Sequence, residues 1–114
     1  METTIIERDG ERILACAGPF RRASDVLELV GSDARGVVAL AEHFPPEFFD
    51  LKTGFAGELL QKLENYGVRV AAVFPNEDGY SERFREFLRE ARRRGQTFRV
   101  FSVRDEAERW LFGS

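Results

Sequence analysis

The sequence contains few of the residues on which disulfide bonding, metal binding and nucleophilic catalysis depend. Its 114 residues include one cysteine, Cys16, and one histidine, His43. A single cysteine cannot form an internal disulfide and fits a reducing compartment. A zinc site needs about three or four Cys, His or carboxylate ligands, and this inventory is missing. We therefore expect no disulfide, no metal and a cytoplasmic location.

Long apolar runs and phosphate-binding motifs are missing too. No stretch approaches the roughly 20 apolar residues that cross a bilayer, and Met1–Gly10 is too polar for a signal peptide. Neither GxGxxG nor GxxxxGK[ST] occurs, so we expect no cofactor held by a phosphate cradle of either type. A net charge of −3 at pH 7 argues against nucleic acid as the main partner. We expect neither a membrane nor a nucleic acid to be the partner.

No group of residues forms a catalytic pattern. Cys16 stands between alanines in a β-prone run, which favours a packed strand residue over a nucleophile. Nothing in the sequence brings it to His43. The loop acids are better interpreted as solvated side chains than as an acid–base pair; they are Glu42, Glu47 and Asp50. The arginine run at 92–94 ends a helix rich in Glu–Arg pairs and indicates a solvated face. We therefore expect no enzyme activity.

Strand and helix patterns alternate along the chain and predict one α/β domain. The predicted strands are Thr3–Glu7, Arg12–Ala17, Gly36–Ala41, Val68–Phe74 and Phe98–Val103. The predicted helices are Ser24–Val30 with Ser24 as N-cap, one from Phe55 to a stop at Gly67, Glu82–Arg94 capped by Ser81, and a last one containing Ala107, Trp110 and Leu111. Residues 102–105 resemble a capping box for the last helix. The Asp-Gly pair at residues 9 and 10 predicts a hairpin. Parallel pairing through right-handed crossovers then gives a five-stranded mixed sheet.

Three predicted loops could form a site or an interface. Ligands of open α/β sheets bind at the carboxyl ends of strands, where three predicted loops meet: Glu42–Lys52, Pro75–Tyr80 and Val103–Asp105. Phe44–Phe49 places three phenylalanines and two prolines in a predicted loop. These rings either form a satellite core or face a partner. A homodimer could pair through this loop or through the edge strand Thr3–Glu7.

The stretch FFDLKTGFAGELLQKL, residues 48–63, opens a helix with poor helix formers. Gly54 and Gly57 each weaken the helix by up to about 1 kcal/mol relative to alanine. Either the backbone approaches another group closely at this turn, or the turn is a surface that another molecule recognises. Thr53 or Asp50 could also serve as the N-terminal cap.

These residues resemble two known families. A buried strand, a loop, a Thr-Gly-apolar step into a helix and then Tyr66–Val73 resemble the STAS domains, the anti-sigma-factor antagonists, as does Phe101–Ala107 near the end of the chain. Over most of the chain the sequence is similar to a family of small bacterial proteins known as a domain of unknown function, number 4180. That similarity includes Phe48–Gly54, Ala56–Glu58, Leu60–Lys62 and Asn65–Tyr66. The STAS resemblance implies a STAS-like (SpoIIAA-like) α/β fold and makes Thr53 the phosphoacceptor.

The leading hypothesis is a non-enzymatic, STAS-like interaction module with an unknown protein partner, switched by phosphorylation at Thr53. The predicted partner surface consists of Phe48, Asp50, Lys52, Thr53, Gly54, Gly57, Glu58 and Gln61. The alternative is a small-ligand or anion sensor that uses the backbone amides near Thr53–Gly57 with Lys52.

Overall fold

A computed structural model describes residues 2–113. The strands of this part of the chain are β1 (Thr3–Arg8), β2 (Glu11–Cys16), β3 (Val37–Leu40), β4 (Val70–Val73) and β5 (Phe98–Phe101). Its α-helices are α1 (Pro46–Phe49), α2 (Phe55–Tyr66), α3 (Glu82–Arg94) and α4 (Arg104–Phe112), and its 3-10 segments are Ala23–Leu29, Ala41–His43 and Leu51–Thr53. The predicted order of strands and main helices is confirmed, but the first predicted helix is a 3-10 segment.

The five strands form one mixed sheet in the order β1-β2-β3-β4-β5. Strands β1 and β2 are antiparallel, and every other neighbouring pair is parallel. The predicted hairpin is confirmed: Asp9 (φ 53°) and Gly10 (φ 82°) both adopt the left-handed conformation that a tight hairpin turn between twisted strands needs. Each crossover from β2 to β5 moves one strand along the sheet in the same direction, and crossovers of this kind are almost always right-handed. Their connecting segments therefore cover one face of the sheet.

The two faces of the sheet carry unequal layers. The larger core contains buried residues of the first 3-10 segment, α1, α2 and α3, together with one side of the strands. On the opposite face α4 packs alone, with Ala107 and Leu111 fully buried against Ile13, Val38 and Ala71. No helix within residues 2–113 is long and apolar enough to cross a bilayer.

The sequence predicts helix caps at Ser81 and at Ser24. The predicted cap at Ser81 is confirmed, because its Oγ accepts the Phe84 N–H at 3.2 Å at the start of α3. The predicted cap at Ser24 is wrong. The first 3-10 segment begins after Arg22, whose N–H donates to the Asp25 carboxylate at 3.1 Å. The Asp25 carboxylate thus reaches back to the N-cap N–H, which is the bond that the acidic residue of a capping box makes.

Candidate functional site

Aromatic side chains fill the region at the carboxyl ends of β3 and β4, where the sequence predicts a ligand site. Phe44 and Phe48 are 5% and 0% exposed, and their ring centroids lie 4.4 Å apart. Phe74 and Tyr80 pack into the same cluster. The core interpretation of Phe44–Phe49 is therefore confirmed. The prediction that Phe48 belongs to a partner surface is wrong, because this ring is fully buried.

The prolines at 45 and 46 do not keep this segment irregular. Pro46 occupies the first position of α1, where a helix needs no N–H donor. The short helix turns the Phe48 ring inward and leaves Phe49 half-buried against Tyr80, with ring centroids 5.2 Å apart. Phe44–Phe49 consequently directs the Phe44 and Phe48 rings into the core.

Arg92 closes the loop that follows β4. Its guanidinium donates to the Phe74 carbonyl at 3.2 Å, to the Glu77 carboxylate at 2.6 Å and to Ser102 Oγ at 3.0 Å. The interpretation of the arginine run as a solvated face is therefore wrong for Arg92, which is half-buried, whereas Arg93 and Arg94 are exposed. The predicted capping box is also wrong, because α4 begins after Val103 without a side-chain cap bond.

The cysteine and the histidine each have a local structural role. Cys16 is buried, and burial raises the pKa of its thiol to about 12, so the thiol stays protonated near neutral pH and is a poor nucleophile. His43 Nδ1 accepts the Leu40 N–H at 3.0 Å. Among residues 2–113 no cluster of three or more His, Cys, Asp or Glu side chains is placed to hold a metal ion.

The other residues of the predicted partner surface are exposed. They lie at the α1–α2 junction and on the first two turns of α2: Asp50, Lys52, Thr53, Gly54, Gly57, Glu58 and Gln61. We call Thr53, Gly54, Gly57, Glu58 and Gln61 the α2 surface. The structure therefore brings together every member of the predicted set except Phe48.

The Thr53 hydroxyl joins two helices. Thr53 Oγ1 accepts the Phe55 N–H at 3.2 Å, which satisfies a donor in the first turn of α2. The same oxygen lies 2.6 Å from the Glu47 carbonyl and 2.9 Å from the Asp50 carbonyl, and its proton is donated toward this pair. Asp50 caps the preceding 3-10 turn by accepting the Lys52 N–H at 3.1 Å. Asp50 thus caps the 3-10 turn, whereas the N-cap of α2 is Gly54, and Thr53, one residue before it, accepts only the N–H of the first helical residue.

Only one of the two glycines at the helix opening is explained by its backbone conformation. Gly54 has φ of +79°, which L side chains rarely adopt, and this conformation joins the 3-10 turn to α2. Gly57 lies within α2 at an ordinary helical position, and a Cβ atom added there would meet nothing within 4 Å. The backbone thus explains Gly54, whereas nothing in the described chain requires a glycine at 57.

Substitutions at Thr53 test the hydrogen bonds that its hydroxyl donates and accepts. Thr53→Ser retains both bonds and should change the free energy of unfolding by less than about 0.5 kcal/mol. Thr53→Ala loses both, and Thr53→Asp loses the donated bond and brings a carboxylate toward two carbonyl oxygens. Each should cost about 1–2 kcal/mol in urea denaturation. Wild-type stability of Thr53→Asp would show that the donated bond contributes nothing.

A cleft of about 440 Å³ lies between α2 and α3 at the amino end of β5, and none of its lining residues belongs to the three predicted loops. Its apolar walls include Leu60, Phe87 and Phe98, and Glu64 and Glu90 stand at its polar rim. The helical patterns of the sequence place Leu60 and Phe87 on inner faces but do not predict the space that remains between the two helices.

The comparison with family models covers nearly all of this structure. The model of the domain of unknown function DUF4180 matches residues 9–111, which include β2–β5, the α2 surface and the cleft. Searches of curated proteins and of solved structures gave no match. Since the family model matches well over half of the sequence, the chain belongs to the DUF4180 family.

Proposed function

We propose that this chain is a non-enzymatic, STAS-like interaction module of the cytoplasm that binds a protein partner through the α2 surface. The order of its elements and the Thr-Gly step into α2 support the STAS-like type. Asp50 and Lys52 flank the surface and extend it toward α1. The observation that carries the proposal is Gly57.

Gly57 weakens α2 without a compensating contact inside the protein. A glycine within a helix costs about 1 kcal/mol relative to alanine, and open space surrounds this position. The missing side chain leaves the helix backbone accessible to close approach by another molecule. Glu58 and Gln61 stand beside it and offer a carboxylate and an amide. A protein partner packed against this turn would explain why a glycine stands here although it lowers the stability of the helix.

Gly57→Ala should stabilise the isolated protein by about 0.5–1 kcal/mol. Alanine has the higher helix propensity, and its methyl group meets no other atom within 4 Å. Chemical denaturation of the purified chain measures this change directly. A loss of stability would show that Gly57 does have a role inside the fold.

The same position tests partner binding. Cross-linked pull-downs should lose a partner on Gly57→Gln and on the double variant Glu58→Arg with Gln61→Glu, and Gly57→Ala should weaken capture although it is more stable. Asp78→Arg, at an exposed position in the loop after β4, is the control for a change of charge alone. Identical capture by wild type and by all three variants of the α2 surface would refute the proposal.

Phosphorylation at Thr53 would act on this surface by opening the helix junction. The Thr53 hydroxyl donates its proton toward the carbonyls of Glu47 and Asp50, and a phosphoryl group replaces that proton with about −1.5 to −2 units of charge. The modified side chain must leave these carbonyls, which frees the end of α1 from α2. Incorporated phosphothreonine tests this route: hydrogen exchange should accelerate in residues 46–57 and partner capture should fall. Unchanged exchange and capture would exclude the switch.

The anion sensor ranks second, because side chains already occupy the start of α2. Thr53 Oγ1 takes the Phe55 N–H, and the Asp50 carboxylate stands beside Lys52 and repels anions. A clear thermal shift with phosphate would reverse this ranking.

A second copy of the chain is a further candidate partner. It would pair with the edge strand β1, where Ile5 is 60% exposed. A particle of 13.0 kDa in light scattering at high concentration would exclude such a dimer.

A further inference from the structure

We propose that the cleft between α2 and α3 is the anchoring subsite of this interaction, and that it takes one large apolar side chain of the partner beside a basic residue. This inference rests on the proposed function, because it assigns a partner segment to the cleft. The partner segment must therefore carry both a large apolar side chain and a basic residue.

Phe48 packs between α2 and α3. The centroid of its ring lies 6.3 Å from that of Phe55 on α2 and 6.1 Å from that of Phe87 on α3. Its centroid also lies 6.0 Å from that of the Phe98 ring, which lines the cleft. Beyond these rings, toward Gly95, the space between the helices is the cleft.

The walls of the cleft are suited to an apolar side chain. Leu60 and Phe87 are half-exposed there, and the Phe87 and Phe98 rings lie 6.0 Å apart, with Ala91 beside them. The cleft volume of about 440 Å³ falls within the size range of small-molecule pockets and exceeds what one aromatic side chain fills. Burying an aromatic ring against these walls gains free energy from apolar area removed from water.

The charge on the rim indicates the neighbour of that apolar side chain. Glu90 forms an ion pair with Arg94 at 3.5 Å, and no ion pair described for residues 2–113 includes Glu64. The rim therefore carries one carboxylate more than it has cations. A lysine or arginine of the partner complements this charge, whereas an acidic residue is repelled.

The cleft and the α2 surface form one continuous strip. Gly57, Gln61 and Glu64 recur at i, i+4 and i+7 along α2 and share one face of the helix. A segment that crosses the bare turn at Gly57 and continues along α2 reaches Glu64 and the mouth of the cleft. One partner segment can therefore contact both regions.

Blocked dipeptides test the cleft without knowledge of the partner. We would titrate N-acetyl-Trp-Arg-amide, N-acetyl-Trp-Glu-amide and N-acetyl-Ala-Arg-amide into the isotope-labelled full chain and follow its amide resonances. The Trp-Arg probe should bind in the millimolar range expected for a fragment and shift the resonances of Leu60, Phe87 and Thr97. The Ala-Arg probe should bind at least about tenfold more weakly, and the Trp-Glu probe should also be weaker.

Substitutions in the cleft, with a control elsewhere, test whether the probe binds there. Glu64→Lys should weaken Trp-Arg binding by roughly threefold to fivefold, and Ala91→Leu, which narrows the cleft, should abolish it while the spectrum remains folded. The control Asp78→Lys should leave binding unchanged. Shifts confined to other surfaces, or tighter binding of the Trp-Glu probe, would overturn the proposal. If the probes do not bind in the cleft but variants of the α2 surface still lose their partner, the proposed anchoring subsite is wrong and the proposed function stands. If the probes bind in the cleft and those variants keep their partner, the proposed role of the α2 surface is wrong instead.

Discussion

Phe48→Ala is expected to destabilise the protein by about 3–5 kcal/mol, a large fraction of the stability of an ordinary domain. The Phe48 side chain is 0% exposed and stands at the centre of the aromatic cluster. It packs against the rings of Phe44, Phe49, Phe55, Phe74, Phe84, Phe87 and Phe98. Truncation removes this burial and leaves a cavity between α2 and α3 that rigid strands on one side cannot close.

Denaturation of three variants measures the effect. Phe48→Leu retains much of the volume and should cost clearly less than Phe48→Ala. Phe55→Ala removes a half-exposed ring from the same cluster and should also cost less, because part of that ring is already in contact with water. Equal costs for Phe48→Ala and Phe55→Ala would contradict the central position of Phe48.

Gly95→Ala should have the second-largest effect, a destabilisation of about 1–3 kcal/mol or more. Its φ of −61° is open to any residue, so conformational strain is not the reason. A Cβ atom at this position would overlap the Phe98 carbonyl oxygen and stand 2.6 Å from the Ala91 carbonyl oxygen. Both contacts are backbone atoms of β5 and α3, which cannot move without disturbing the sheet or the helix.

Gly57→Ala is the matched control, since it makes the same chemical change at another glycine. The two substitutions should have opposite signs: stabilising at 57, where open space surrounds the backbone, and destabilising at 95. Because Gly95 also borders the cleft, Gly95→Ala should alter binding of the Trp-Arg probe. Equal effects of the two substitutions on the free energy of unfolding would show that helix propensity, and not steric overlap, governs both positions.

Short-range chemistry explains the parts of the fold that were predictable. The Asp-Gly pair fixes the β1–β2 hairpin because its backbone conformation is local. The bounds of α3 match the prediction because Ser81 caps it and its apolar stripe repeats at helical spacing. The exposure of Thr53, Gly57 and Glu58 also follows from the pattern of one helix. In each case the residues that decide the structure lie within a few positions of one another.

The sequence by itself determined the order of the elements, the mixed sheet and the polar face of α2, because periodicity and turn chemistry specify these locally. Only the tertiary structure decided that Phe48 is core, that Ser102 bonds Arg92 instead of capping α4, and that a cleft remains between α2 and α3. These outcomes depend on contacts between residues distant in the chain. Which ring fills a gap, or which donor reaches a hydroxyl, is set by packing of the whole domain.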